Sequence, residues 1–380
     1  MKFFDYKGGV LVRRVFGCPI ISKNDVMTLL ICGLPIFQKS FSYLPYSTGG
    51  GGGRIIDSTL YFCGIRIRKT SNYKRLLSSF ILYQNPWFEK SISTLEHQNI
   101  LERIQRLTRG LDSESINCVY RIISRTLKVE RSPIKAISLL TRQEIQALIL
   151  LHQEFYPNIS CISQNIFHYN GYLLPKRHGA EIFWHRHGID TLKNLEALKD
   201  KDIIDVGGYI GDSALILQEY TNKHIHSFET TSSNYALMLQ TIKLNNAKRI
   251  IPINKGLGSS HTAMNIVVAD GSSSLVVSSN DKLQEKVEII TLDSYVAEHN
   301  VKVGFIKVDI EGFEMEFLQG AKETICTQKP AMLISIYHDI EHFFEIKPLL
   351  ESWDLGYKFH IHKPIDENIS VETGLFCEVL

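Results

Sequence analysis

Three carboxylates stand close together in Ile306-Lys307-Val308-Asp309-Ile310-Glu311-Gly312-Phe313-Glu314, where an apolar run gives way to charge. A short continuous apolar run reads as a buried strand, and ligands of open α/β sheets bind outside the carboxyl ends of strands. Asp309 and Glu311 alternate with apolar neighbours, so in an extended segment they share a face. Gly312 permits a turn into a helix whose first turn holds Glu314, where the helix dipole favours an acid; capping alone accounts equally well for that residue. Carboxylates so placed could take a proton from a bound hydroxyl. His338, after the apolar run Met332 to Tyr337, is a second candidate base, although a satisfied, partly buried histidine is its plainer reading. The same groups could instead hold a divalent ion that orients and acidifies a hydroxyl, but the expectation is a site without metal.

Upstream, Asp205-Val206-Gly207-Gly208-Tyr209-Ile210-Gly211 follows another apolar run and opens a helical pattern. Glycines there let the backbone turn sharply and approach a ligand with no side chain intervening. The free N–H groups of a helix start then favour an anionic ligand group, a pyrophosphate in a dinucleotide or the methionine carboxylate in S-adenosylmethionine. A tight strand-to-helix turn with no ligand would use the same glycines. Glu229, at the end of the next apolar run, is a carboxylate able to accept both ribose hydroxyl hydrogens; alone it reads equally as a solvated charge. Loop and acid together fit either cofactor. His178, His185 and His187 gather just before the first strand without the spacing of a zinc site, which suits a solvated or cofactor-adjacent segment.

Positioning these groups falls to a section that starts near Gly179 and alternates strand and helix patterns, as an open parallel sheet does. Strands are expected at Ile203 to Val206, His226 to Phe228, Ile250 to Asn254, Phe305 to Val308 and Met332 to Tyr337. Helices are expected from Ser213 to Tyr220, Ser233 to Asn245 and Phe313 to Thr324, with a hairpin excursion from Ala263 to Thr291 and Asp293 capping a helix from Ser294 to His299. Residues 86 to 155 read as helical: Ile100, Ile104 and Leu107 recur at helical spacing, Asp112 heads a cap, and Thr141 with Glu144 makes a capping box. Ahead of them Gly17-Cys18-Pro19-Ile20-Ile21-Ser22-Lys23 is echoed from Gly33 and more loosely from Gly64. Such repeats imply short strand, turn, strand units that bury an apolar face only by stacking, with the run Gly49 to Gly53 as a loop tip. The expected domains are 1–75, a β-hairpin-like repeat region; 76–178, helical; and 179–380, which carries the chemistry.

From about Ala180 to Phe376 the sequence resembles the FkbM-type methyltransferases. The carriers are Asp205 to Ser213, Phe228-Glu229, Thr291-Leu292-Asp293, Lys307 to Glu314 and Tyr337-His338; Asp-x-Glu-Gly with the upstream Thr-Leu-Asp is the specific part. Two departures stand out: Tyr209 where methyltransferases commonly have a small residue or Asn, and Thr230 where this family often has Pro. The resemblance implies an α/β fold, a Rossmann-like class I methyltransferase doubly wound sheet, here preceded by a helical segment and a small β-rich repeat region. It also implies S-adenosyl-L-methionine as cofactor and O-methyl transfer. On that basis Asp205, Gly207, Gly208, Tyr209, Gly211, Asp212, Ser213 and Glu229 are expected to hold the cofactor, and Asp309, Glu311 and His338 to act near the acceptor. A softer likeness of the N-terminal repeats to segments of bacterial surface-polysaccharide enzymes makes a sugar hydroxyl of a surface glycan the expected acceptor. A catalytically silent binding module and a nicotinamide oxidoreductase remain as alternatives.

Bulk composition limits the rest. The 380 residues carry a net charge of +2 and 44% hydrophobic residues, ordinary for a globular protein and without the basic excess of a nucleic-acid binder. Seven cysteines are scattered with no C-x-x-C pair, so buried reduced thiols are expected. The longest apolar stretch, Val26 to Phe37, falls short of the roughly 20 residues of a membrane span, and the first residues lack the apolar run of a secretory signal. We therefore expect a cytoplasmic protein with a small-molecule or glycan acceptor, no nucleic-acid partner and no transmembrane segment; a homo-oligomer through the helical or N-terminal region stays open.

Overall fold

The computed structural model describes residues 99–131 and 139–380 except 270–271 and 275–283, and, before residue 99, the strands between Asp5 and Ser71. Two compact units divide the chain, Met1–Ile81 with Lys135–Pro157 and Leu82–Ile134 with Asn158–Leu380. In the first, seven strands from Asp5–Lys7 to Ile65–Ser71 pair in chain order, each antiparallel to the next. The turn glycines Gly17, Gly33 and Gly64 and the run Gly49 to Gly53 lie outside the described residues. The same unit holds the helix Arg142–Leu150, where Thr141 and Glu144 close the expected capping box: Thr141 N–H donates to Glu144 at 2.7 Å and Glu144 N–H to Thr141 at 3.2 Å.

The second unit is built on a mixed seven-stranded sheet. Its strands are β1 (Asp202–Val206), β2 (Ile225–Phe228), β3 (Ile250–Ile253), β4 (Val303–Val308), β5 (Ala331–Ser335), β6 (Lys358–His362) and β7 (Gly374–Glu378), in the order β3-β2-β1-β4-β5-β7-β6. The first five run parallel, and β7 lies antiparallel to both β5 and β6. β1 and β4 are buried over nearly their whole length, which is why they read as unbroken apolar runs. Helices α1 (Asp212–Leu217), α2 (Ser232–Leu244), α3 (Leu292–His299), α4 (Glu314–Gly320), α5 (Lys322–Gln328) and α6 (Ile340–Ser352) connect them. The expected single helix from Phe313 to Thr324 is thus two, meeting at Ala321. The strand order reverses between β1 and β4, the switch point at which such sheets bind ligands.

Two helices earlier in the chain complete the core. Ile100–Thr108 lies along α6, where the Arg103 guanidinium stands 4.6 Å from the Phe344 ring and pairs with Glu341 at 2.7 Å. Ser113–Arg131 meets β6, its Ser115 hydroxyl accepting the Ile361 N–H at 2.9 Å, and Asp112 caps it by accepting the Ser115 N–H at 2.7 Å. Ile104, Leu107, Val119, Ile306, Phe317 and Phe343 belong to one apolar cluster.

The stretch expected to be helical also contains three antiparallel strands, Ser160–Ser163, Ile166–Tyr169 and Tyr172–Leu174. Asn170 and Gly171, both at positive φ, form the two-residue hairpin turn between the last two, a turn signal that outweighed the helical pattern upstream. Asp293 does not cap its own helix. Thr291 does, accepting the Ser294 N–H at 3.2 Å, while Asp293 accepts the N–H groups of Glu323 (3.0 Å) and Thr324 (2.7 Å) and so ties α3 to the start of α5. Cys118, Cys161, Cys326 and Cys377 form no disulfide; Cys377 is buried and Cys161 exposed, so burial is not the common property expected of them. Among the described residues no helix is long and apolar enough to cross a membrane.

Candidate active site

β1 ends in Val206, and the chain then turns under the end of β2. Gly207 and Gly208 both donate N–H bonds to the Phe228 carbonyl, at 3.1 and 2.8 Å. Gly207 has φ +82°, and a Cβ there would collide with the Asp309 carbonyl oxygen; the glycine turn and the acidic corner after β4 are therefore in direct contact. Lys307, on β4, donates to the Gly207 carbonyl at 2.9 Å and lies 3.4 Å from Asp205. Burial would discharge this lysine, but Asp205, Asp309 and Asp212 hold its pKa above the ordinary value. Tyr209 sits at φ +46°, its N–H donated to Glu229 Oε2 at 2.9 Å and its hydroxyl accepting from Lys176 at 2.7 Å.

The corner after β4 is a turn, not the extended segment that alternation suggested. Asp309 N–H still bonds the Val206 carbonyl at 3.0 Å, but Glu311 has φ +56° and Gly312 φ +102°. Both acids nevertheless reach the same cavity. Behind them stands His338. Its Nε2 lies 3.4 Å from Asp309 Oδ1 and 3.7 Å from Glu311 Oε2, and its Nδ1 2.8 Å from Glu314 Oε1. Glu314 is fully buried; its Oε1 also accepts the N–H groups of Ile310 (3.1 Å) and Gly312 (3.4 Å), and its Oε2 lies 2.9 Å from His342 Nδ1. Burial opposes charge on His338, yet Glu314, Asp309 and Glu311 raise its pKa to about 9. Burial likewise opposes charge on Glu314, but His338 and His342 hold it well below the usual carboxylate range. Glu311 is pushed up to about 7, chiefly by burial, with His338 pulling against it.

A cavity of about 280 Å³ opens over these two corners. Of the residues expected from sequence, Gly207, Tyr209, Asp212, Ser213, Glu229, Asp309 and Glu311 line it. Four do not. Asp205 lies beneath the loop, accepting the Ser227 hydroxyl hydrogen at 2.7 Å; Gly208 and Gly211 pack against Met238; and His338 stands behind the two acids it pairs with. Glu229 lines the cavity but is already engaged: besides Tyr209 it accepts the N–H (2.8 Å) and hydroxyl (2.7 Å) of Thr231. Three of its four acceptor positions are thus taken, and two ribose hydroxyls cannot both join them undisturbed.

The cavity also has walls that the sequence did not advertise, Glu181, Asn234 and Glu372, together with His187, expected in a solvated or cofactor-adjacent segment, and Lys307 and Tyr337, which the resemblance already included. Tyr337 donates its hydroxyl to Asp309 at 3.1 Å. Burial raises the pKa of Glu181 to about 7 and of Asp212 to about 6. The three clustered histidines separate. His178 packs 4.6 Å from the Phe183 ring centroid, His185 lies 3.1 Å from the Ile365 carbonyl, and His187 faces the cavity.

Donor atoms of Asp309, Glu314 and His338 lie within 4.8 Å of one another, close enough for a cation. Glu314, however, is committed to two imidazoles and two backbone N–H groups. The group reads as an ion-pair network rather than a ligand set.

Residues 205–359 match the family model for the methyltransferase FkbM domain. No curated protein matches the chain. Among solved structures, methyltransferase FkbM from Methylobacillus flagellatus KT aligns at 18% identity over 77% of this chain and 61% of that one, with a TM-score of 0.49. An rRNA methylase from Streptococcus thermophilus aligns at 14% identity over 49% of this chain and 91% of that one, with a TM-score of 0.30. M. jannaschii TYW2, solved in complex with AdoMet, aligns at 15% identity over 57% of this chain and 86% of that one, with a TM-score of 0.28.

Proposed function

We propose, from the match of residues 205–359 to the methyltransferase FkbM domain, that this chain is an S-adenosylmethionine-dependent O-methyltransferase acting on a sugar hydroxyl of a bacterial surface glycan or related glycoconjugate. One observation carries the reading: the glycine turn, Glu229, Asp309 and Glu311 line one cavity, with Gly207 packed directly on Asp309. The donors and acceptors suit the cofactor. Asp212 offers a carboxylate for an ammonium, and Tyr209 and Glu229 frame the position for a ribose beside the Phe228 and Leu257 side chains.

When bound, S-adenosylmethionine supplies a methyl group activated by a sulfonium. The protein's part is to hold the acceptor oxygen in line, exclude water and take the hydroxyl proton. Positioning of this kind supplies up to about 7–11 kcal/mol of a barrier. Glu311 is the group we assign to the proton, because its pKa of about 7 leaves it half deprotonated near neutrality and able to accept. His338 is protonated there and is no base in the resting site; it holds Asp309 and Glu311 in place as a cation, and Tyr337 orients Asp309 from the other side. The cytoplasm as its compartment belongs to the same proposal, in keeping with Cys161, Cys326 and Cys377 standing outside any disulfide; so does assembly through the helical or N-terminal region.

Mass spectrometry of surface glycans from a strain lacking this protein is expected to show the loss of one methyl group, and those glycans then serve as acceptor. With them, kcat/KM should rise with pH through about 7 as Glu311 loses its proton. Glu311→Gln should lower the rate by about 10²–10⁴-fold and abolish that limb. The profile in EDTA should be unchanged, and a flat profile with full Glu311→Gln activity would remove Glu311 from the reaction.

A further inference from the structure

Ahead of β1, three successive residues occupy the left-handed region: Arg186 at φ +51°, His187 at φ +53° and Gly188 at φ +72°. Only the last is glycine. For an L-residue with a Cβ this conformation is unfavourable, and two in succession persist only where their surroundings hold them. The surroundings here do so. Arg186 donates to the Tyr220 hydroxyl and to Glu219, each at 2.8 Å, the Thr191 hydroxyl donates to the Gly188 carbonyl at 2.7 Å, and a Cβ on Gly188 would meet the His362 ring at 2.8 Å. These bonds anchor the turn on either side of His187 and leave its side chain directed at the cavity, where Nε2 lies 2.9 Å from Ser213 Oγ.

We propose that His187 and Ser213 form a hydrogen-bonding pair that receives the amino-acid end of the methyl donor beside Asp212, and that the strained turn at 186–188 is retained to place the imidazole there. This rests on the reading of the cavity as a cofactor pocket, and it adds a residue that lies outside the matched segment 205–359. The chemistry of the pair fits. If Ser213 donates to Nε2, the imidazole keeps its Nδ1 hydrogen; if Nε2 donates, Ser213 keeps its hydroxyl hydrogen. Either tautomer leaves one donor for a carboxylate, while Asp212 on the same wall offers an acceptor for the ammonium. The imidazole also has to be neutral, since a second cation would repel the sulfonium. Withdrawal from solvent, reinforced by Lys307, lowers its pKa to about 3 and keeps it so. Strain spent to aim one side chain is a recurrent property of binding sites, and it separates function from stability.

The test titrates S-adenosylhomocysteine into the full-length protein by calorimetry and records the melting temperature without ligand. His187→Gly relaxes the turn, so its melting temperature should equal or exceed that of the wild type while affinity falls by at least about tenfold. His187→Asn, whose amide tolerates left-handed backbone and can bond Ser213, should stay within about threefold of the wild type on the same reasoning. Ser213→Ala leaves the turn untouched and should also weaken binding by about fivefold or more. Wild-type affinity in His187→Gly, or in Ser213→Ala should the glycine variant fail to fold, overturns the proposal. Failure of the wild-type protein itself to bind would instead overturn the cofactor reading.

Discussion

Glu229→Ala is expected to weaken S-adenosylhomocysteine binding by roughly tenfold to a hundredfold, the equivalent of about 1.5–3 kcal/mol for hydrogen bonds to a charged group. The side chain does more than face the ligand. Its Oε2 takes the N–H of Tyr209, a residue at φ +46°, and its Oε1 takes two hydrogens from Thr231 at the start of α2. Removing it frees a donor in the turn that must lie still under the cofactor, so the melting temperature should fall as well, by about 2–4 °C for each kcal/mol lost. Glu229→Gln, which keeps an acceptor for Tyr209, should retain more of both. Calorimetric titration against all three proteins reads the difference, and equal affinities would show that Glu229 serves the fold alone.

Glu314→Gln should destabilise the protein more than any other single change at this site, by about 3–5 kcal/mol, because it breaks a buried ion pair and strands the partner charge. Glu314 is fully buried between His338 and His342. The pH dependence gives the signature. His338 binds its proton more tightly folded (pKa about 9) than unfolded (6.5), so its contribution is complete below 6.5 and disappears as pH rises through 9. A shift of that size corresponds to about 3 kcal/mol. Glu314 works in the opposite sense: its folded pKa is depressed, so its contribution is present above the ordinary carboxylate pKa and is lost in acid. Wild-type melting temperature should therefore decline from pH 6.5 toward 9, and the Glu314→Gln curve should be nearly level over that range. Parallel curves would mean that the pair does not govern His338.

Sequence made the sheet's centre readable and its edge much less so. β1 is buried but for Asp202 at its start and β4 is buried throughout, and burial leaves an apolar run with no competing interpretation. β6, with Lys358, His360 and His362 alternating along it at the sheet's edge, carries no such run, and neither it nor β7 was expected. The site divides in the same manner. Gly207, Glu229 and Asp309 follow strand ends, positions that topology assigns to ligands. His187 reaches the cavity only because a left-handed turn points it there, and Asp293 bonds a neighbouring helix instead of its own. The histidine cluster pointed only to a solvated or cofactor-adjacent segment, without telling which of its three side chains would reach the cavity, and spacing gave no sign of the Asp293 contact. His338 stands beside Asp309 and Glu311, as its place after the fifth strand suggests, while its contact with buried Glu314, which raises its pKa to about 9, could not be read from spacing.

Titration of the full-length protein with S-adenosylhomocysteine, with NADH as the competing ligand, addresses the cofactor pocket most directly. One S-adenosylhomocysteine should bind per chain, saturably, and NADH should neither bind nor displace it. A folded protein that takes up NADH and ignores S-adenosylhomocysteine would contradict the account.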